Sequence, residues 1–192
     1  MSNEKSFSSP LLLSITEEDR ATMITIARHT LEALLLKKEF IPSSYGGRLE
    51  EKAGVFVTLK KHGELRGCVG YPDPVFPIAE AVRKSTISSA VMDPRFKSLG
   101  KDEIPELSIE IAVLGPREKF EPGKDKLEIG RHGTIVESAW TSGLLLPQVA
   151  VEEGLDQEQF LDATCIKAGM LEGCWKEDGV TVYIFEGLYF EG

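Results

Sequence analysis

The sequence predicts an α+β fold: a mostly antiparallel sheet with packed helices. Helix and strand periodicities are mixed along the chain without regular βαβ alternation. Two runs rich in strand-forming residues meet at the tight turn His62-Gly63, and Leu107 to Leu114 alternates in the manner of a strand with one buried face.

Taken in order, the first long element runs from about Thr16 to Lys38. Ala21, Ile24, Ala27, Leu31, Leu34 and Leu35 recur there at three- and four-residue steps, and Thr16 with Asp19 forms a capping pair. A polar, Gly-containing stretch from Ile41 to Gly54 follows. Val55 to Lys60 reads as a strand, His62-Gly63 as its turn, and Glu64 to Gly70 as the returning strand, which stops at Tyr71-Pro72-Asp73-Pro74. From Val75 to Val91 the pattern is helical, with Asp73 and Pro74 placed to open it and Asp93-Pro94 to end it. In the strand Leu107–Leu114, Ile109, Ile111 and Val113 form the buried side and Pro116 is the stop. A charged loop from Gly115 to Lys126 leads to short strands at Leu127 to Ile129 and Thr134 to Glu137, with Gly130-Arg131-His132-Gly133 as a turn between them. Leu144 to Val151, broken by Pro147, reads as a strand passing into a helix. Asp156 to Lys167 is a helix with Asp156 and Gln159 as capping pair and Gly169 as terminator. Val180 to Phe190 is a strand interrupted at Glu186-Gly187.

Composition narrows the function classes. A chain of 192 residues, 42% hydrophobic and 28% charged, can bury a full core. Its net charge of −9 argues against phosphate-backbone binding, so no nucleic-acid partner is expected. Cys68, Cys165 and Cys174 are odd in number and lack C-x-x-C spacing, which predicts free thiols in a reducing compartment. Leu11, Leu12 and Leu13 are far too few for a signal-peptide core or a membrane span, so a soluble cytoplasmic protein is expected. No phosphate-binding, dinucleotide-binding, zinc-protease or serine-hydrolase motif occurs; no cofactor and no metal are assigned.

The segment Glu64-Leu65-Arg66-Gly67-Cys68-Val69-Gly70 stands apart from an ordinary strand. Gly67 and Gly70 weaken a strand and point to close backbone approach or a bulge. Cys68 reads either as a small buried hydrophobe or as a thiol activated by Arg66. Its facing depends on register: an unbulged two-residue turn sets it opposite Val57, and a bulge turns it to the other side.

Leu65-Arg66-Gly67-Cys68-Val69-Gly70 closely resembles the L-R-G-C-I-G signature of the AMME-syndrome candidate gene product family, with Val69 in place of isoleucine. Asp93-Pro94-Arg95-Phe96, Ile109-Glu110-Ile111-Ala112-Val113-Leu114, Ile129-Gly130-Arg131-His132-Gly133, Leu145-Leu146-Pro147-Gln148-Val149-Ala150 and Lys167-Ala168-Gly169 extend the resemblance over roughly Thr16 to Tyr189. It implies two unequal subdomains with a cleft carrying the signature: a larger one of about residues 1–70 plus 130–192, and a smaller one of about 71–129. It also implies partners of the Memo-like and radical-SAM kinds.

Further candidates carry two readings each. Asp93 and Arg95 are either a local pair holding a turn or ligand contacts, and Glu110 either faces solvent or a site. His132 is either a plain turn residue or a base for Cys68. Two functions follow. In the first, the signature binds a small anionic ligand or a partner peptide through Arg66, Gly67, Gly70, Asp93 and Arg95. In the second, a thiol-dependent enzyme uses Cys68 as nucleophile or redox group, with His132 or Glu110 moving protons.

Overall fold

The structure, a computed structural model, describes residues 8–36, 38, 40 and 45–192. The helices are α1 (Pro10–Ser14), α2 (Glu17–Leu35), α3 (Ile78–Val91), α4 (Pro147–Glu152) and α5 (Gln157–Lys167). The strands are β1 (Gly54–Lys61), β2 (Glu64–Tyr71), β3 (Leu107–Leu114), β4 (Glu118–Phe120), β5 (His132–Glu137), β6 (Ser142–Leu145) and β7 (Thr181–Glu191). Mixed helix and strand with antiparallel pairing throughout the registered ladders make the fold α+β.

The chain divides into two compact units. One holds Ser8, Ser9 and Gly115–Gly187; the other holds Pro10–Leu114 and Leu188–Gly192. These boundaries differ from the expected 70/71 and 129/130. β1 pairs with β2 on one side and with β3 on the other, so residues 71–114 cannot separate from the signature strand. β7 runs unbroken through Glu186-Gly187, where an interruption was expected, and its last residues belong to the second unit.

In the second unit, Val55, Val57 and Leu59 of β1 and Ile109, Ile111 and Val113 of β3 are fully buried. Each such side chain contributes about 1.5–3 kcal/mol of burial. α3 packs on β1 and β2, and α2 packs on α3. The buried side of α3 is built of small residues, including Ala81, Ser85, Ser89 and Ala90, so its backbone can approach the sheet closely. The Ser85 hydroxyl donates to Val55 O. The Ser89 hydroxyl accepts from Val69 N–H and donates to Val57 O, bridging the two strands.

Thr16 caps α2 and forms the expected box with Asp19. The buried stripe is rotated from the predicted one: Met23, Ile26, Ala27, Thr30 and Leu31 are inside, while Ala21 is exposed and Ile24 half-buried. The helix has apolar residues on both flanks, and periodicity alone did not fix which flank meets α3. The predictions for residues 1–7, 37, 39 and 41–44 and for the Leu35 side chain fall outside the described residues. α3 begins at Pro77 as N-cap rather than at Asp73-Pro74.

In the first unit, Phe120, Leu127, Val136, Phe160, Leu161 and Val182 form the core. Leu127 is buried there without belonging to a strand, contrary to the predicted strand at 127–129, and β4 forms within the predicted loop by pairing with β7. α5 carries its predicted Asp156–Gln159 capping box, and Gly169 adopts φ 75° after its end.

Cys165 and Cys174 form a disulfide, with Cα atoms 5.9 Å apart. This corrects the expectation of three free thiols. The left-handed turn at Gly169 folds the chain back, and Met170 N–H donates to Cys165 O, so nine residues of sequence separation close to bonding distance. Cysteine usage therefore no longer argues for a reducing compartment. No helix among the described residues is long and apolar enough to cross a membrane.

Candidate functional site

The facing of Cys68 is decided by one extra residue. β1 and β2 start in simple register, Lys61 opposite Glu64 and Lys60 opposite Leu65, but Leu59 then pairs with Gly67. Arg66 is the residue inserted at the bulge. Beyond it Cys68 pairs with Thr58, not with the buried Val57, so its side chain leaves the core face.

Thr58 is also opposite Glu110 of β3, which sets Cys68, Thr58 and Glu110 in one cross-strand row. The half-buried Cys68 is the free cysteine, and its Sγ accepts a hydrogen bond from the Thr58 hydroxyl at 3.2 Å. Lys60 shares the face by strand alternation, and its Nζ lies 3.0 Å from Glu110 Oε2.

The row reaches the tail of β7. Ile109 and Gly192 exchange N–H and C=O bonds, at 3.2 and 3.0 Å, which marks a directly opposed antiparallel pair. Counting back puts Glu191 across from Glu110 and Tyr189 across from Ala112, both on the Cys68 face. The Tyr189 hydroxyl is closed off from solvent and has no hydrogen-bond partner among the described residues. Burial, with Glu110 nearby, pushes its pKa well above the ordinary tyrosine value, so it stays a neutral donor.

On the opposite edge of Cys68, Asp93 and Arg95 take the place of a neighbouring strand. Cys68 N–H donates to Asp93 Oδ2 at 2.9 Å, and Arg95 Nη2 donates to Cys68 O at 3.3 Å. Arg95 is also bidentate on Asp93, at 3.0 Å from Nε and 2.7 Å from Nη2, and its backbone N–H donates to Oδ1. Asp93 is 5% exposed. The hydrogen bonds from Arg95, outweighing the cost of burial, hold its carboxyl far below the usual range. Its carboxylate and the Arg95 guanidinium thus supply an acceptor and a donor where β2 has an edge.

Arg66 is likewise bound to a carboxylate. Its Nε and Nη2 donate to Glu103 at 2.9 and 3.0 Å, and this pairing, with Gly100 N–H, lowers Glu103 to about 2. Both guanidiniums lie near the ring of Phe96. The signature glycines have packing reasons. A Cβ on Gly67 would stand 2.1 Å from Ser89 O, and one on Gly70 would stand 2.4 Å from both Phe56 Cγ and Val55 O.

His132 opens β5 in the first unit rather than lying in a turn. Glu128 N–H donates to its Nδ1, which leaves Nε2 as the protonated nitrogen of the neutral ring. Burial, reinforced by Arg131, lowers its pKa. Opposite it in β7, Glu186 accepts from Arg131 and from the backbone of Ser8 and Ser9.

Sequence reasoning singled out Cys68, Glu110, Asp93 and Arg95 and missed Thr58, Lys60, Glu103 and Tyr189. A threonine and a lysine following Val55-Phe56-Val57 were a usable signal, but only once the bulge fixed which face they share. Among the described residues no group of three or more His, Cys, Asp or Glu is placed to hold a metal ion.

The AMMECR1 family model matches residues 24–190. Protein MK0488 of Methanopyrus kandleri is 43% identical over 92% of this chain and 90% of its own length. Protein TK0174 of Thermococcus kodakarensis is 41% identical over 92% of each. The crystal structure of the uncharacterised protein PH0010 from Pyrococcus horikoshii, 42% identical, superposes with a TM-score of 0.82 over 88% of this chain and 89% of that one. With the family model over residues 24–190, relatives above 40% identical and near-complete coverage in agreement, the chain belongs to the AMMECR1 family.

Proposed function

We propose that this protein acts through the thiol of Cys68, as nucleophile or redox group, toward a ligand held on the polar face of β1, β2 and β3. The observation that carries this reading is the unbridged, half-buried thiol oriented by Thr58 while Asp93 and Arg95 fix its backbone. The bulge at Arg66 sets Cys68 beside Thr58 and turns it away from Val57. Glu110 is the carboxylate of the same cross-strand row, two strands from Cys68 with Thr58 between them, and is the candidate group for moving protons on a ligand that spans the row. Capture of a small anion has less support, because Arg66 and Arg95 are each bidentate on a carboxylate of the chain itself.

The test is complementation in a host lacking the gene. Cys68→Ser, folded as judged by an unchanged Tm, should fail where the wild type succeeds. Full rescue by Cys68→Ser would eliminate thiol chemistry and return the face to simple binding. A cytoplasmic setting and a partner of the Memo-like or radical-SAM kind belong to the same proposal, resting on the family resemblance. Cell fractionation and affinity capture with the purified partner test them.

A further inference from the structure

Two of the apolar positions that mark α2 in the sequence, Ala21 and Ile24, are left out of its buried stripe. They stand instead with Glu17 and Arg20 along a groove of about 340 Å³ whose other side is the end of β7, Phe190 to Gly192. Helix and strand touch there, since a Cβ on Gly192 would lie 2.9 Å from Ile24 Cγ2. The volume is at the low end of the roughly 300–1,000 Å³ of small-molecule sites, so the groove takes side chains rather than a large body. Its strand side is an unpaired edge. β5 pairs with β7 only as far as Glu186, opposite His132, and β4 pairs with residues 182–184. Near the end of β7, Gly192 turns both its N–H and its C=O to Ile109 of β3. Those of Glu191 therefore point the other way, where no strand of the described residues lies. Such an edge is a template for another chain.

Charge sets the pattern of that chain. Arg20 is compensated by Glu17 at 2.7 Å, and Glu110, across the ladder from Glu191, is compensated by Lys60 at 3.0 Å. Glu191 has no cationic partner among the described residues, which leaves the edge negative. In an added antiparallel strand, the residue opposite Glu191 carries its side chain on the same sheet face as Glu191, and its two neighbours turn to the face of Phe190, Ala21 and Ile24. We propose that this groove is a docking site, separate from the thiol, for an extended segment of a partner protein patterned apolar-basic-apolar, added antiparallel to the free edge of β7 at Glu191. The basic residue exchanges backbone hydrogen bonds with Glu191 and meets its carboxylate, and the apolar neighbours enter the groove.

The test titrates the blocked peptide acetyl-Ala-Leu-Lys-Leu-Ala-amide, up to millimolar concentration, into the full ¹⁵N-labelled chain and follows the backbone amides by NMR. The amides of Glu191 and of residues 20–24 should shift and saturate. N-methylation of the peptide's lysine amide, which removes the donor to Glu191 C=O, should weaken binding about tenfold, while N-methylation of either leucine should not. Exchanging the lysine for glutamate should weaken it several-fold. Ala21→Trp fills the groove from an exposed position, and should weaken binding about tenfold with Tm unchanged. No saturable shift, shifts confined to another surface, equal tolerance of N-methylation at lysine and leucine, or undiminished binding to Ala21→Trp would overturn the proposal. Concentration-dependent shifts of the same amides without peptide would make a second copy of the chain the occupant and overturn it as well.

Discussion

Gly67→Ala tests whether the signature glycines serve the fold. The added methyl carbon would stand 2.1 Å from the carbonyl oxygen of Ser89, with Ser89 C at 3.1 Å. Ordinary contact needs at least about 3.4 Å, so strand and helix must part by more than about 1 Å. The obstacle is backbone, and no rotamer relieves it. α3 is also tied to the sheet through the Ser89 and Ser85 hydroxyls, whose bonds to Val57 O, Val69 N–H and Val55 O lie beside the clash. Overpacking of this kind costs about 1–3 kcal/mol, and straining the hydroxyl bridge adds about 1 kcal/mol. We therefore expect a loss of about 3 kcal/mol, measured by urea denaturation followed by circular dichroism with the m-value compared. A loss below about 1 kcal/mol would refute the packing account of Gly67 and restore the reading in which it keeps space for a ligand.

Other perturbations separate the parts of the account. Asp93→Asn removes the ion pair to Arg95 and weakens the hold on Cys68 N–H, and should cost about 2–4 kcal/mol by denaturation. Because the folded carboxyl of Asp93 titrates far below its unfolded value of about 3.9, its contribution is full above that pH and is lost as pH falls below it. The variant should therefore show a shallower acid decline than the wild type. The lowered pKa of His132 has the same sign: its neutral form is favoured by folding, so stability should drop as pH falls below about 6.5, and His132→Gln should flatten that drop. Tyr189→Phe deletes a buried hydroxyl with no partner among the described residues and should leave stability unchanged or raise it by about 1 kcal/mol in a thermal melt. Reducing the Cys165–Cys174 bridge, which closes a nine-residue separation, should lower stability by about 2.5 kcal/mol, seen as a drop in Tm with dithiothreitol.

Local chemistry made much of the fold legible. The capping boxes at Thr16 and Asp156, the His62-Gly63 turn and the alternation of β3 each depend on residues within a few positions of one another. What stayed hidden depends on pairing between distant segments. β4 is a strand because β7 lies beside it, and the Cys165–Cys174 bridge forms because a turn at Gly169 reverses the chain. The site divides the same way. Cys68 was visible as a thiol between glycines, but its facing hung on a single bulged residue that hydrophobic pattern could not locate. Arg66 looked free because Glu103 is 37 residues away, whereas the Asp93–Arg95 pair was legible as a local reading and only its burial against the edge of β2 was not.

The most direct measurement is iodoacetamide labelling of the folded, unreduced protein with site-resolved mass spectrometry. The account requires one label, on Cys68, acquired under native conditions at a rate well above that of global unfolding, with Cys165 and Cys174 unmodified until reductant is added. Protection of Cys68 until the protein unfolds would contradict it and make the thiol a packing residue.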